Sequence, residues 1–293
     1  MSTRGDLHYV KLNWLGRWPN NNLARTFRRL AQGGRPVRVY MRIPEKVPTI
    51  LPEVEPIRGD LDNPGDLAPI LGDVETVVLI TGVHANELAR GLSIVEAAKR
   101  ANVRRIVFIS LVQGPWSDSI PFYKSKLAIE AAIWASGIKW VVVRSAGFMQ
   151  TDAGLKADIL EAGLFTPPIG DVGVARIDTR DVGYAVAEAV LTDADGEFRA
   201  FGPEVLTGGQ VANTYAKVLG MEVKYLGNDL DRWAKLKASA FPAWSLNALQ
   251  NMYAYSQRVG MKPEPGELPC RLLPAKLRTM KSYAAELKAS WAV

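Results

Sequence analysis

Across the first 145 residues, short apolar runs alternate with amphipathic stretches, and this alternation constrains the fold more than any other feature of the chain. Runs at 8–13, 36–41, 54–58, 76–81, 105–109 and 140–144 read as strands. Stretches at 20–32, 66–71, 86–101 and 121–136 read as helices, the first stopped by Gly33 and Gly34. The run Thr76-Val-Val-Leu-Ile-Thr81 is apolar without a polar alternate, as in a strand covered on both faces. Strand–helix repeats at this spacing predict βαβ units and an α/β fold with a doubly wound parallel sheet of order 3-2-1-4-5-6. In such sheets a ligand binds beyond the carboxyl ends of the strands, where the strand order reverses. That rule selects 14–22, 42–44, 60–63, 81–86, 110–116 and 145–152 as the segments that carry function.

After residue 150 the alternation loosens. Helices are expected at 180–191, 207–219, 229–238, 244–259 and 277–288, and a short strand at 222–226. The segment 262–274 holds four prolines and reads as irregular. The expected division is a Rossmann-like core over 1–150 and a smaller α+β lobe over 151–293, partly integrated with it, that covers the substrate. Composition excludes several classes. One cysteine, Cys270, rules out an internal disulfide, and His8 and His84 alone give little basis for a zinc site. No apolar run reaches membrane-spanning length and no signal-peptide pattern opens the chain, so a cytoplasmic protein without metal or membrane partner is expected. The net charge of +6 is local: residues 1–42 carry nine Lys/Arg against Asp6 alone, so +8, which leaves −2 for the rest. With no accompanying motif, this excess does not predict nucleic-acid binding.

On these strands the chain resembles the NmrA-like family of atypical short-chain dehydrogenase/reductases. The resemblance is carried by Pro36-Val-Arg-Val-Tyr-Met-Arg42, Arg58-Gly-Asp-Leu-Asp62, the stretch from Val95 to Ser110, Lys124-Ser-Lys-Leu-Ala-Ile-Glu130 and Arg144-Ser-Ala-Gly-Phe-Met149. Ile177-Asp-Thr-Arg-Asp-Val-Gly183, Gly202-Pro203-Glu204 and Arg278-Thr-Met-Lys-Ser-Tyr283 with Trp291 continue it in register to the end. The resemblance implies a Rossmann core, an NAD(P) crevice and a small-molecule substrate. It does not fix one reaction, because the family holds both reductases and redox sensors that bind the dinucleotide without turning it over.

The first turn departs from the family. Where the family reads roughly Gly-x-x-Gly-x-x-Gly, this chain reads Trp14-Leu-Gly-Arg-Trp-Pro-Asn-Asn-Asn22. Neither register restores the glycines that let backbone N–H groups approach a pyrophosphate. Pro19 removes a donor, and Trp14 and Trp18 add bulk. The local charge argues the other way: Arg42 ends strand 2 where family members contact a 2′-phosphate, and Arg17 replaces lost backbone donors by charge. The cofactor set is therefore Gly16, Arg17, Arg42, Asp60, Leu61 and Thr81, holding NADP(H) weakly or not at all.

The catalytic positions are also altered. Classical short-chain dehydrogenases use a serine and a Tyr-x-x-x-Lys pair, in which the phenol gives the proton. Here Ser110 ends strand 5 and Lys126 lies on the next helix, but the residue four before the lysine is Phe122. Tyr123 is adjacent and rotated about 100° around the helix. His84 follows strand 4 at the crevice mouth, and histidine is the usual acid–base group near neutral pH. The catalytic candidates are His84, Lys126, Ser110 and Tyr123. Trp14, Trp18, Trp116, Phe122, Phe148, Met149 and Gln150 are the candidate substrate-lining residues.

The lost glycines, Phe122 and the aromatic crevice put a non-redox step first: cyclisation, isomerisation or rearrangement of a largely apolar, natural-product-like molecule. The alternatives are an NAD(P)H-dependent reductase with an unusual phosphate loop, and a non-enzymatic protein that senses the dinucleotide. The sequence leaves oligomeric state open.

Overall fold

The computed structural model describes residues 7–12, 29–30, 34, 36–46, 54–65, 67–82, 84–114, 117–192 and 194–291. Its centre is a seven-stranded sheet in the order β3-β2-β1-β4-β5-β6-β8. The strands are β1 (Leu7–Leu12), β2 (Val37–Met41), β3 (Val54–Arg58), β4 (Val74–Ile80), β5 (Arg105–Leu111), β6 (Lys139–Ser145) and β8 (Gly196–Ala200). All six pairings are parallel. The expected order over the first six strands is thus observed, with the reversal between β1 and β4.

The apolar runs explain why the middle of the sheet is buried. Successive residues of a strand point to opposite faces. Val77, Leu79, Ile106, Phe108 and Val142 accordingly fall in one core cluster with Ile94, Ala98, Ile129 and Ile133 of the helices Glu87–Arg100 and Pro121–Ala135. Val78, Val107, Val141 and Val143 belong to a second cluster with Val182, Ala185, Val186 and Ala189 of the helix Thr179–Leu191. Gly91 sets the spacing of the first helix pair: a Cβ there would stand 2.3 Å from Ile129 Cδ1.

The second half adds β8 to the sheet, beside β6. Sequence reading assigned no strand to 196–200, because five half-covered residues at a sheet edge give little periodic signal. The expected strand at 222–226 shortens to β9 (Lys224–Tyr225), paired with the equally short β7 (Leu164–Phe165). The helices Gly208–Leu219, Leu230–Lys237 and Ala243–Val259 lie close to their expected ranges. The last helix starts at Met280 rather than 277. The residues before it are fixed from outside: Arg278 N donates to Asp181 Oδ2 at 2.9 Å, and Met280 N donates to Glu204 Oε2 at 2.7 Å. The motif Ile177-Asp-Thr-Arg-Asp-Val-Gly183 therefore staples the closing helix to the sheet. Asp178 caps its own helix by accepting from Arg180 N, and Arg180 reaches Glu286 at 2.6 Å.

Candidate active site

The carboxyl ends of the strands carry four groups of polar side chains. At the reversal point lies a buried ion pair. Lys126 Nζ stands 3.0 Å from Glu87 Oε1, and donates to Thr81 O at 2.8 Å, Thr81 Oγ1 at 2.7 Å and Ile109 O at 3.3 Å. Thr81 Oγ1 in turn donates to Glu87 Oε1 at 2.7 Å. Lys126 arrives there because the Pro121–Ala135 helix packs against β5 and β6, and its ammonium reaches the carbonyls of Thr81 after β4 and Ile109 in β5. Its charge also lies 5.1 Å from the Phe108 ring centroid. Sequence reading found Lys126 and Thr81 but missed Glu87. Its signal was an acidic residue in the first turn of a helix opening at the crevice.

Ser110 belongs to the second group. Its hydroxyl donates to Glu130 Oε1, which also accepts from Gln113 Nε2 at 3.0 Å, while Arg144 Nη2 reaches Glu130 Oε2 at 2.7 Å. Ser110 and Glu130 are fully buried. Glu130 was also missed, although it stands one helical turn beyond Lys126, on a face otherwise apolar at Ile129 and Ile133.

His84 is in the third group, on the side of β2 and β3. Its Nδ1 accepts from Asn86 N at 3.0 Å, and its Nε2 stands 3.5 Å from Arg90 Nη2. Asn86 Nδ2 and Arg90 Nε donate to Asp62 Oδ1 at 3.0 and 2.7 Å, and Arg90 Nη2 pairs with Asp62 Oδ2. Arg90 and Asn86 hold the Asp62 carboxyl down at about 2. Partial burial lowers the His84 pKa, helped by the charges of Arg90 and Arg42 against those of Asp62 and Glu87. Arg42 ends β2 at this group, and its carbonyl accepts from Arg58 Nη1 at 3.0 Å. Asp60 Oδ1 accepts from Asp62 N at 3.0 Å, and Leu61 is buried in the core beside Tyr40. The turn is tight because Gly59 lies under the Tyr40 ring: a Cβ there would meet Tyr40 Cζ at 2.0 Å.

The fourth group follows β6. Phe148 is half-buried, whereas Met149 and Gln150 are buried. Gln150 Oε1 accepts from Thr179 N at 2.9 Å. The loop is held by Arg176, which donates to Phe148 O at 2.9 Å, Met149 O at 3.2 Å and Asp152 Oδ1 at 2.7 Å. Tyr215 Oη donates to Asp152 Oδ2 at 2.9 Å. Arg176 and Asp152 were absent from the sequence candidates, since nothing local marks them as a pair.

Phe122 and Tyr123 are both buried, with ring centroids 5.1 Å apart, in the core cluster of Met149 and Ile120. Burial pushes the Tyr123 phenol up, with a smaller contribution from Tyr255. The structure thus brings Lys126, Thr81 and Ser110 to the ends of β4 and β5, and gathers His84, Arg42, Asp60 and Leu61 at β2 and β3. It does not bring His84 to Lys126 by a direct contact. Trp14, Gly16, Arg17, Trp18 and Trp116 lie outside the described residues.

Arg42 follows β2, and Lys126 and Thr81 close the floor between β4 and β5. Among the described residues no group of histidines, cysteines and carboxylates is arranged to hold a metal ion, and no helix is long and apolar enough to cross a membrane.

Comparison with known proteins follows the same line. The model of the NmrA-like family matches residues 25–284. Over 264 residues the chain is 31% identical to a (4-alkanoyl-5-oxo-2,5-dihydrofuran-3-yl)methyl phosphate reductase of Streptomyces griseus, covering 88% of this chain and 91% of that one. It is 27% identical over 205 residues to an NAD(P)H azoreductase of Xenophilus azovorans, covering 69% and 71%. The fold matches an Escherichia coli NADPH-dependent quinone oxidoreductase crystallised with NADPH, at a TM-score of 0.81 and 18% identity, over 96% of this chain and 99% of that one.

Proposed function

The chain belongs to the NmrA-like family of atypical short-chain dehydrogenase/reductases, and on that premise we propose that it is an NAD(P)H-dependent reductase of a small, conjugated, electron-poor molecule. The observation that carries this reading is the crevice floor, where one buried lysine ties the ends of β4 and β5 at the reversal of strand order. The 31% identical relative, matched along nearly its whole length, is itself named a reductase. This places reduction ahead of the non-redox step that the altered loop suggests.

A nicotinamide in this crevice supplies a hydride. The chain's own part is to bind and orient. Arg42 offers its guanidinium to a 2′-phosphate, which favours NADPH over NADH. Lys126, neutralised by Glu87, holds the floor to which Thr81 and Ile109 contribute. Proton donation is the weak point of the site. Phe122 has no proton to give, the Ser110 hydroxyl is given to Glu130, and the buried Tyr123 phenol holds its proton more tightly than usual. Such a site suits acceptors whose reduced anion is stabilised by conjugation, so that water completes the reaction. Quinones, unsaturated lactones and azo compounds have this property; an isolated ketone lacks it.

The test is consumption of NADPH with a panel of one quinone, one unsaturated lactone, one azo dye and one simple ketone. Turnover with at least one conjugated acceptor and none with the ketone supports the reading. Turnover of the ketone alone overturns the assignment of substrate class. No consumption with any acceptor returns the protein to the non-redox or sensor readings.

A further inference from the structure

A second concavity lies away from the crevice. It is a cavity of about 720 Å³ between the helix Thr179–Leu191, the segment before the last helix, and Arg29. Its wall includes four cationic residues, Arg29, Arg180, Lys276 and Arg278, and no described wall residue is a carboxylate; Tyr184 Oη accepts from Arg29 Nη2 and Ser282 Oγ donates to Thr279 O. None of its lining residues belongs to a strand end of the crevice.

The carboxylates of this region hold the cations from behind. Arg29 Nε donates to Glu188 Oε1 at 2.9 Å, and its guanidinium stacks 4.2 Å from the Tyr184 ring centroid. Arg180 is anchored by Asp178 and Glu286, and Arg278 by Asp181. These pairs fix three planar guanidinium groups around one space. Lys276 is exposed at its rim, and its ammonium has no partner among the described residues. Fixed guanidinium groups recognise phosphate oxygens, and a mobile ammonium adds charge without demanding geometry.

The geometry points to an anion site here for a phosphate-bearing small molecule, separate from the dinucleotide crevice. Occupancy has a route to the crevice. Arg180 holds the helix cap Asp178, and the next residue, Thr179, is bonded through its N–H to Gln150 in the loop after β6. A ligand on Arg180 and Arg278 therefore stiffens the element against which that loop is fixed.

The experiment uses the full chain, with inorganic pyrophosphate as the probe, followed by calorimetry and by the shift in Tm. Two substitutions that add negative charge leave the internal pairs intact: Lys276→Glu at the rim, and Ser282→Asp in the first turn of the last helix, where a carboxylate is compatible with the helix. Arg42→Ala is the control for binding in the crevice. The expected result is binding to the wild type and to Arg42→Ala with similar affinity, weakened at least about tenfold by each added negative charge. The site is overturned if the wild type shows no binding at about 10 mM pyrophosphate, a concentration at which even millimolar affinity is seen. It is equally overturned if Arg42→Ala abolishes binding, or if both substitutions leave it unchanged. NADPH consumption, measured in parallel, reports on the reductase reading independently of any of these results.

Discussion

Lys126 Nζ and Glu87 Oε1 stand 3.0 Å apart, both buried, at the point where the strand order reverses. Taking two charges out of water is costly, and the pair survives because Thr81 and Ile109 supply further hydrogen bonds. Breaking the pair from one side leaves a buried charge uncompensated. Lys126→Met is therefore expected to lower stability by about 3–5 kcal/mol. The double variant Lys126→Met/Glu87→Leu, which removes both charges, should recover most of that loss. Urea unfolding of the three proteins checks this; a double variant no more stable than the single one contradicts it.

Arg42 is the described residue best placed to choose between the two dinucleotides. A charge-assisted bond to phosphate contributes about 1.5–3 kcal/mol, or roughly a 10- to 100-fold change in affinity. Arg42→Ala should weaken NADPH by that factor and leave NADH nearly unchanged. Fluorescence titration with both cofactors reads the ratio. Equal losses would assign Arg42 a structural role rather than recognition of the 2′-phosphate.

Ser110 separates this site from that of the classical enzymes. Its hydroxyl is bonded to Glu130 and not offered to a substrate. Ser110→Ala is expected to keep kcat within about threefold, while Phe122→Tyr, which restores the classical phenol four residues before Lys126, should not raise it more than that. Steady-state kinetics on the conjugated acceptor decide the matter; a hundredfold loss in Ser110→Ala would restore the serine to acid–base work.

The pH dependence follows from His84 and Asp62. The folded state lowers the His84 pKa below its ordinary 6.5. The unfolded chain then binds more protons just below that value, so this contribution to stability is full above about pH 6.5 and is lost as the pH falls through the lowered value. Asp62 has the same sign in a more acid window, between its ordinary 3.8 and about 2. Tm measured from pH 7.5 down to 5 should fall less steeply in His84→Gln than in the wild type. Parallel curves would contradict the assignment.

How much of this was legible in the sequence depends on the range of the interactions. The sheet order was legible because continuous apolar runs such as Val77 to Leu79 can only be covered on two sides. Lys126, Thr81 and Ser110 were legible because strand ends and one helix turn fix their places. Their partners were not. Glu87, Glu130 and the Arg176–Asp152 pair acquire meaning only through contacts across 14 to 39 residues of sequence. His84 was placed at the strand end and its bond from Asn86 N is local, yet the Arg90 beside it is held by Asp62 in the loop after β3. The basic excess of the first 42 residues also divides on inspection. Arg38 is paired with Glu55 and Asp73 beside β2 and β3, Arg29 is paired with Glu188 at the wall of the second concavity, and Arg42 follows β2 at the crevice.

The central claim is hydride transfer, and isotope transfer tests it most directly. NADPH carrying deuterium at both C4 positions of the nicotinamide is incubated with the protein and the unsaturated lactone, whose reduced carbon retains the label in water, and the product is weighed by mass spectrometry. The account predicts one deuterium per product molecule and one NADPH consumed for each. Product formed at full rate with no label, or with NADPH left intact, would contradict it and favour a non-redox conversion.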